Sequence, residues 1–142
     1  MKRYIFLIFT WFLFLPAHGQ EDLWDVIREN SNFQYSVDRT EIQKALKIYQ
    51  NNQYLVDRLS KNGQRYLYHM VDETLKRNMP VELALLPFVE SQFDPYAQSP
   101  AGASGIWQFI LSTAREQGLK RNWWYDGRRD IIASTNSALN YL

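Results

Sequence analysis

From residue 20 onward the apolar positions recur with a helical period, and no stretch alternates apolar and polar residues as a half-buried strand would. Leu23, Val26 and Ile27 mark a short amphipathic turn. Ile42, Ala45, Leu46 and Tyr49 then follow the i, i+3, i+4, i+7 stripe of a helix with one buried face, which Asn51-Asn52 breaks. A brief segment over residues 54–59 precedes an expected break at Asn62-Gly63, after which Leu67, Met70, Val71, Thr74 and Leu75 form a second stripe ending near Asn78. Pro80, tolerated in a first helical turn, opens a run over residues 81–89. Four of the five prolines lie between residues 80 and 100, so residues 93–105 read as a turn-rich interruption, where functional sites tend to sit. Helical signals resume over residues 106–117 and stop at Gly118. Asp130 then caps a helix carrying Ile131, Ala138, Leu139 and Leu142 on one face. The pattern predicts an all-α chain.

The first nineteen residues do not belong to that pattern. Lys2 and Arg3 precede an apolar run over residues 4–15, too short to span a bilayer comfortably, and Ala17-His18-Gly19 places small residues where a signal peptidase needs them. Residues 1–19 are expected to be a cleaved signal peptide, and the chain an exported one of the periplasm or cell envelope. The alternative is a retained anchor, the one arrangement in which the chain would meet a membrane. Removing residues 1–19 leaves 14 basic and 15 acidic residues, no basic field to attract nucleic acid, and His69 as the single histidine. With no cysteine in the chain, zinc sites of the cysteine and histidine type, thiol catalysis and disulfides are excluded. Chemistry, if present, falls to carboxylates and hydroxyls.

Glu90 is the carboxylate that stands out. It follows Leu83-Ala84-Leu85-Leu86-Pro87-Phe88-Val89, so its side chain should emerge from an apolar wall. Poor solvation there, and the partial negative charge of a helix C-terminus, would both favour a protonated carboxyl near neutral pH, which is a general acid. The plain alternative is a solvated glutamate at a helix end.

The stretch Ala84-Leu85-Leu86-Pro87-Phe88-Val89-Glu90-Ser91-Gln92-Phe93-Asp94-Pro95, followed by Ser99-Pro100-Ala101-Gly102-Ala103-Ser104-Gly105-Ile106-Trp107-Gln108-Phe109, resembles the SLT-type lytic transglycosylase domain of bacterial cell-wall enzymes, in particular the membrane-bound D type. Trp124-Tyr125-Asp126-Gly127-Arg128-Arg129-Asp130 and the helix leading to Pro80 look like it as well. The resemblance implies a lysozyme-like domain over residues 63–142 behind an N-terminal helical lead over residues 20–62. It implies cleavage of the β-1,4 bond between N-acetylmuramic acid and N-acetylglucosamine in peptidoglycan glycan strands, without water, leaving a 1,6-anhydromuramyl end and using no metal or organic cofactor.

Carried over to this sequence, Glu90 is the catalytic acid and then base. One carboxylate suffices when the substrate supplies its own nucleophile, whereas ordinary glycosidases need two. Ser91, Ser99 and Gln108 form the implied substrate-binding set. Ser91 would orient the Glu90 carboxyl or simply hold a helix end; Ser99 would lie near the N-acetyl group or act as a turn serine; Gln108 would reach the glycan from the groove floor or be a surface amide. Asp94, before Pro95, suits backbone hydrogen bonding. Trp107 and Trp124 are expected in the core, and the Arg128-Arg129-Asp130 run is expected to be an ion-pair and capping element. The later motifs of the family have no counterpart up to Leu142, so the catalytic domain is expected to be incomplete and weakly active. A non-catalytic, exported module that binds glycan strands or a wall protein is the second reading.

Overall fold

The computed structural model describes residues 22–32 and 39–142; the segment read as a signal peptide lies outside them. Among the described residues the secondary structure is helical, with no strand. The elements are α1 (Leu23–Glu29), α2 (Thr40–Gln50), α3 (Gln53–Lys76), a 3₁₀ turn (Val81–Leu85), α4 (Leu86–Ser91), α5 (Leu111–Glu116) and α6 (Ile131–Tyr141). None of these helices is long and apolar enough to cross a membrane.

The backbone of the fold is α3. Asn52 starts it, its Oδ1 accepting from the Leu55 amide at 3.0 Å. The helix then runs for 24 residues, about 36 Å at the helical rise. The break expected at Asn62-Gly63 does not occur. Asn-Gly is a turn signal only while nothing outside the segment holds it, and here both residues have tertiary partners. Gly63 is buried against the Phe93 ring, and the Asn62 amide donates to the Gln92 carbonyl at 3.1 Å. Leu59, Leu67, Met70, Val71 and Thr74 continue the buried stripe, and Thr74 returns its hydroxyl to the Met70 carbonyl.

Against this stripe pack the 3₁₀ turn, through Val81 and Ala84, and α6, through Ala138 and Leu139. The Arg77 guanidinium fastens two of these elements: one nitrogen pairs with the Glu73 carboxylate at 2.6 Å and another donates to Asn136 Oδ1 at 2.8 Å. Asn78 turns the chain with φ of 55°, a conformation asparagine tolerates better than most residues. The run over residues 81–89 is helical as expected, but in two pieces. Pro87 has no amide hydrogen to donate, so the α register begins afresh at Leu86 with the proline in the first turn, where no donor is needed.

Two further expectations change. α2 has no buried residue; Ile42 and Tyr49 are half-covered while Ala45 and Leu46 face solvent, with Tyr49 resting on Phe88 at a ring separation of 5.7 Å. Residues 106–110 are not helical, and α5 is confined to Leu111–Glu116. Ile106, Trp107 and Phe109 are all buried, but through a tight turn in which Ser104 pairs with Phe109 and Gln108 adopts φ of 50°. A continuous apolar run reports burial, and burial alone does not choose between helix and turn.

Gly63 lies in a helix with no left-handed requirement, and a Cβ there would meet Phe93 at 3.5 Å, an ordinary contact. Gly63→Ala should therefore stabilise the chain by about 0.5–1 kcal/mol through helix propensity. Thermal denaturation checks this; a lower Tm would show that the α3–Phe93 contact has no room.

Candidate active site

Glu90 occupies the last turn of α4, which ends in two consecutive left-handed residues, Gln92 at φ 54° and Phe93 at φ 57°. That strained exit is held from several sides. Phe93 is buried, its amide donates to the Pro87 carbonyl at 3.1 Å, and its ring meets Phe88 edge-on. Asp94 accepts from the Tyr96 amide at 2.8 Å, the backbone role expected of it.

The residues after α4 fold back beneath it. Ser91 is buried, and its hydroxyl lies 2.8 Å from the Ile106 carbonyl and 3.2 Å from that of Pro87. With one proton to give, it ties the helix end that bears Glu90 to residues 104–109. Ser99 closes the next turn: its Oγ accepts from the Ala103 amide at 3.1 Å, its own amide donates to the Ala103 carbonyl at 2.9 Å, and its carbonyl accepts from Gly102 at 3.0 Å. Gln108 donates through Nε2 to the Gly105 carbonyl at 2.7 Å and to that of Ala97 at 3.3 Å. Those two acceptors identify the amide nitrogen and leave Oε1 for another donor.

Glu90 and Gln108 share the wall of a groove of about 280 Å³ together with Leu86, Trp107, Thr113 and Tyr141. Its volume is at the small end for ligand sites, about 300–1,000 Å³. Of the residues expected in the site, these two come together there, while Ser91 and Ser99 are absent from the lining and hold the backbone behind it. Glu90 is solvent-exposed, so the apolar wall expected around it exists on one side only. It is the sole acidic side chain among the described lining residues, and among the described residues no three histidines or acids gather as a metal site would require. Thr113 and Tyr141 were not singled out in the sequence. Tyr141 lies three residues beyond Ala138 on α6, a spacing that places both on one face.

Arg128 supports the loop from the other side. It is 6% exposed, and its guanidinium forks onto Asp126 at 2.6 and 2.9 Å while also donating to the carbonyls of Gly102 at 3.0 Å and Phe109 at 3.2 Å. The ion pair expected in this run is thus formed with Asp126. Asp130 caps α6 through the Ala133 amide at 2.9 Å. Gly105, at φ 85°, passes so close to the Arg128 backbone that a Cβ would fall 1.7 Å from its carbonyl oxygen. Trp107 is in the core as expected, its indole N–H on Thr135 Oγ1 at 3.0 Å. Trp124 is not: it is 73% exposed and Trp123 is 83% exposed, the two rings 3.7 Å apart. The loop between Arg121 and Asp126 closes on itself through Asn122, whose Oδ1 accepts from the amides of Trp124 and Tyr125.

Residues 68–142 match the transglycosylase SLT domain. The chain belongs to this family. It is also 47% identical, over 122 residues, to membrane-bound lytic murein transglycosylase D of Escherichia coli strain K12, and equally to that of Escherichia coli O6:H1 strain CFT073. The match covers 85% of this chain and 26% of each relative, so the chain spans about a quarter of the length of these curated relatives. The helical architecture is the one expected of an SLT, lysozyme-like domain. Glu90, Ser91, Ser99, Gln108 and Arg128 all fall within the matched residues.

The hydrogen bonds from Arg128 hold the Asp126 carboxyl below the usual carboxylate range. A depressed carboxyl contributes stability that is full above its unfolded pKa and is lost as pH falls through the folded one. Stability should therefore hold from neutrality to about pH 4 and decline below it. Asp126→Asn should remove this acid dependence and cost about 1.5–3 kcal/mol at neutral pH, the range for hydrogen bonds to a charged group. Denaturant melts of both proteins between pH 2 and 7 check it; parallel curves would assign the acid transition elsewhere.

Proposed function

We propose that this domain holds a peptidoglycan glycan strand against the Glu90 groove, and that Glu90 carries out lytic cleavage of the β-1,4 bond between N-acetylmuramic acid and N-acetylglucosamine. The observation that carries the reading is a lone acidic side chain on a groove wall beside an uncommitted amide oxygen, within residues that match the SLT domain. A two-carboxylate glycosidase would show a second acid across the bond. Here the substrate provides the nucleophile.

In this scheme Glu90 gives its proton to the glycosidic oxygen as the bond from C1 of the muramyl residue breaks and the glucosaminyl residue leaves. The muramyl 6-hydroxyl then bonds to C1, and its proton passes to the Glu90 carboxylate. The result is a 1,6-anhydro ring and an enzyme returned to its starting state, with no water consumed. Gln108 Oε1 accepts from a sugar N–H or O–H. Ser99, outside the groove lining, acts through the turn it closes with Ala103 and Gly102. Ser91 acts through the backbone, fixing the turn from which Glu90 projects. The work is placed in the cell envelope, reached through the export signal expected over residues 1–19. The name of the Escherichia coli relatives, a membrane-bound murein transglycosylase, supports both the substrate and the location.

The exposure of Glu90 favours modest turnover by the chain alone, because acid catalysis gains from excluding water on all sides of the bond. Peptidoglycan incubated with the purified chain should give few anhydromuropeptides by mass spectrometry, and an abundant yield would overturn this expectation. Products with reducing muramic acid ends would instead make the protein a hydrolase.

Glu90→Gln should lower whatever cleavage is measured by about 10²-fold or more, the usual worth of a general acid, while retention on insoluble peptidoglycan stays as it was. Unchanged cleavage would remove Glu90 from the mechanism. Retention without any cleavage in the unaltered chain would favour a non-catalytic glycan-binding module.

A further inference from the structure

Gln108 is the one groove residue with a left-handed backbone, φ 50°, and it is not a glycine. Such a conformation costs of order 1–3 kcal/mol and persists only where the surroundings over-determine it. The local bonds, from the Gln108 amide to Gly105 at 3.2 Å and from its side chain to Gly105 and Ala97, lie within the turn and move with it. From outside, the Ser91 hydroxyl holds the Ile106 carbonyl and Arg129 Nε the Ser104 hydroxyl, but each meets the turn at one point, whereas Arg128 spans it. One guanidinium nitrogen reaches both the Gly102 and Phe109 carbonyls, so a single planar group spans the segment from its start to the residue after Gln108. Asp126 engages Nε and Nη2, which sets the plane of the fork. The Arg128 backbone also packs on Gly105 too closely for any side chain there.

We infer that Arg128 is a positioning residue for glycan recognition, acting through Gln108: its fork clamps residues 102–109 so that Gln108 keeps the left-handed conformation aiming Oε1 into the groove. This rests on the reading that the groove takes a glycan strand. Lysine is not an equivalent. Its point charge can follow Asp126 or a carbonyl, but it lacks the rigid fork that meets a carboxylate and two carbonyls at once.

The test is a double-mutant cycle on the full chain, reading the Kd for the tetrasaccharide of alternating N-acetylglucosamine and N-acetylmuramic acid by calorimetry, with a thermal melt of every variant. Gln108→Ala and Arg128→Lys should each weaken binding about tenfold, the equivalent of about 1.4 kcal/mol. The double variant should bind no worse than Gln108→Ala alone, because Arg128 then has nothing left to position. If Arg128→Lys costs the same factor with and without Gln108, or lowers Tm while leaving Kd untouched, its role is structural only and the inference fails. If Gln108→Ala leaves binding intact, the fault lies earlier, in the assignment of Gln108 to the glycan, and the inference falls with it. Should Arg128→Lys not fold, Asp126→Asn, which frees one side of the fork and keeps the arginine, takes its place in the cycle with the same outcomes.

Discussion

Between α4 and α5 the chain runs for some twenty residues that are neither helix nor sheet, yet much of it is buried, and its carbonyl groups still have to meet donors. This requirement shapes the whole site. In a helix or a sheet the backbone satisfies itself, and the side chains are free to face outward. Here the donors are side chains: the Ser91 hydroxyl on Ile106, the Gln108 amide on Gly105 and Ala97, and the Arg128 guanidinium on Gly102 and Phe109. Ser91, Ser99 and Gln108, the binding set that the family resemblance implies, all hold the loop in shape.

The same requirement explains why polar groups sit so deep. Arg128 is less exposed than many leucines, a costly place for a charge unless every donor is engaged. Asp126 and two carbonyls engage four of its five N–H groups, which offsets most of that cost. The arrangement also divides the site: Glu90 is exposed on the short helix, while the loop behind it is fixed by buried side chains. α3 touches Phe93 through Gly63 and Gln92 through Asn62, so the longest helix indirectly braces the short α4.

Much of this can be read from residue order. The helical period marks α1, α2, the second half of α3 and α6, and the Glu-Ser and Gly-Ile-Trp-Gln stretches locate Glu90 and Gln108. The misreadings share one physical origin, which is that composition reports how buried a residue is and says little about what covers it. Asn62-Gly63 has turn chemistry, but Phe93 and Gln92, thirty residues away in sequence, hold it helical. Ile106, Trp107 and Phe109 are as apolar as a core helix, but Gly105 and a left-handed Gln108 coil them into a turn. Trp124 is apolar yet exposed, on a loop whose turn Asn122 closes through two backbone amides. The division between Ser91 and Ser99, which hold backbone, and Gln108, which reaches the groove, depends on donor geometry that residue order does not encode.

The outward pair of indoles has a consequence of a different kind. Two aromatic chromophores 3.7 Å apart couple electronically, and the coupling vanishes when their stacking does. Trp107, buried and bonded to Thr135, is a separate chromophore in an apolar setting. The fluorescence of Trp107 is shared with the exposed Trp24, Trp123 and Trp124, whereas the coupled signal in circular dichroism belongs to the surface loop. Rearrangement of that loop can therefore be followed by circular dichroism in an unlabelled sample, whatever the remaining tryptophans do.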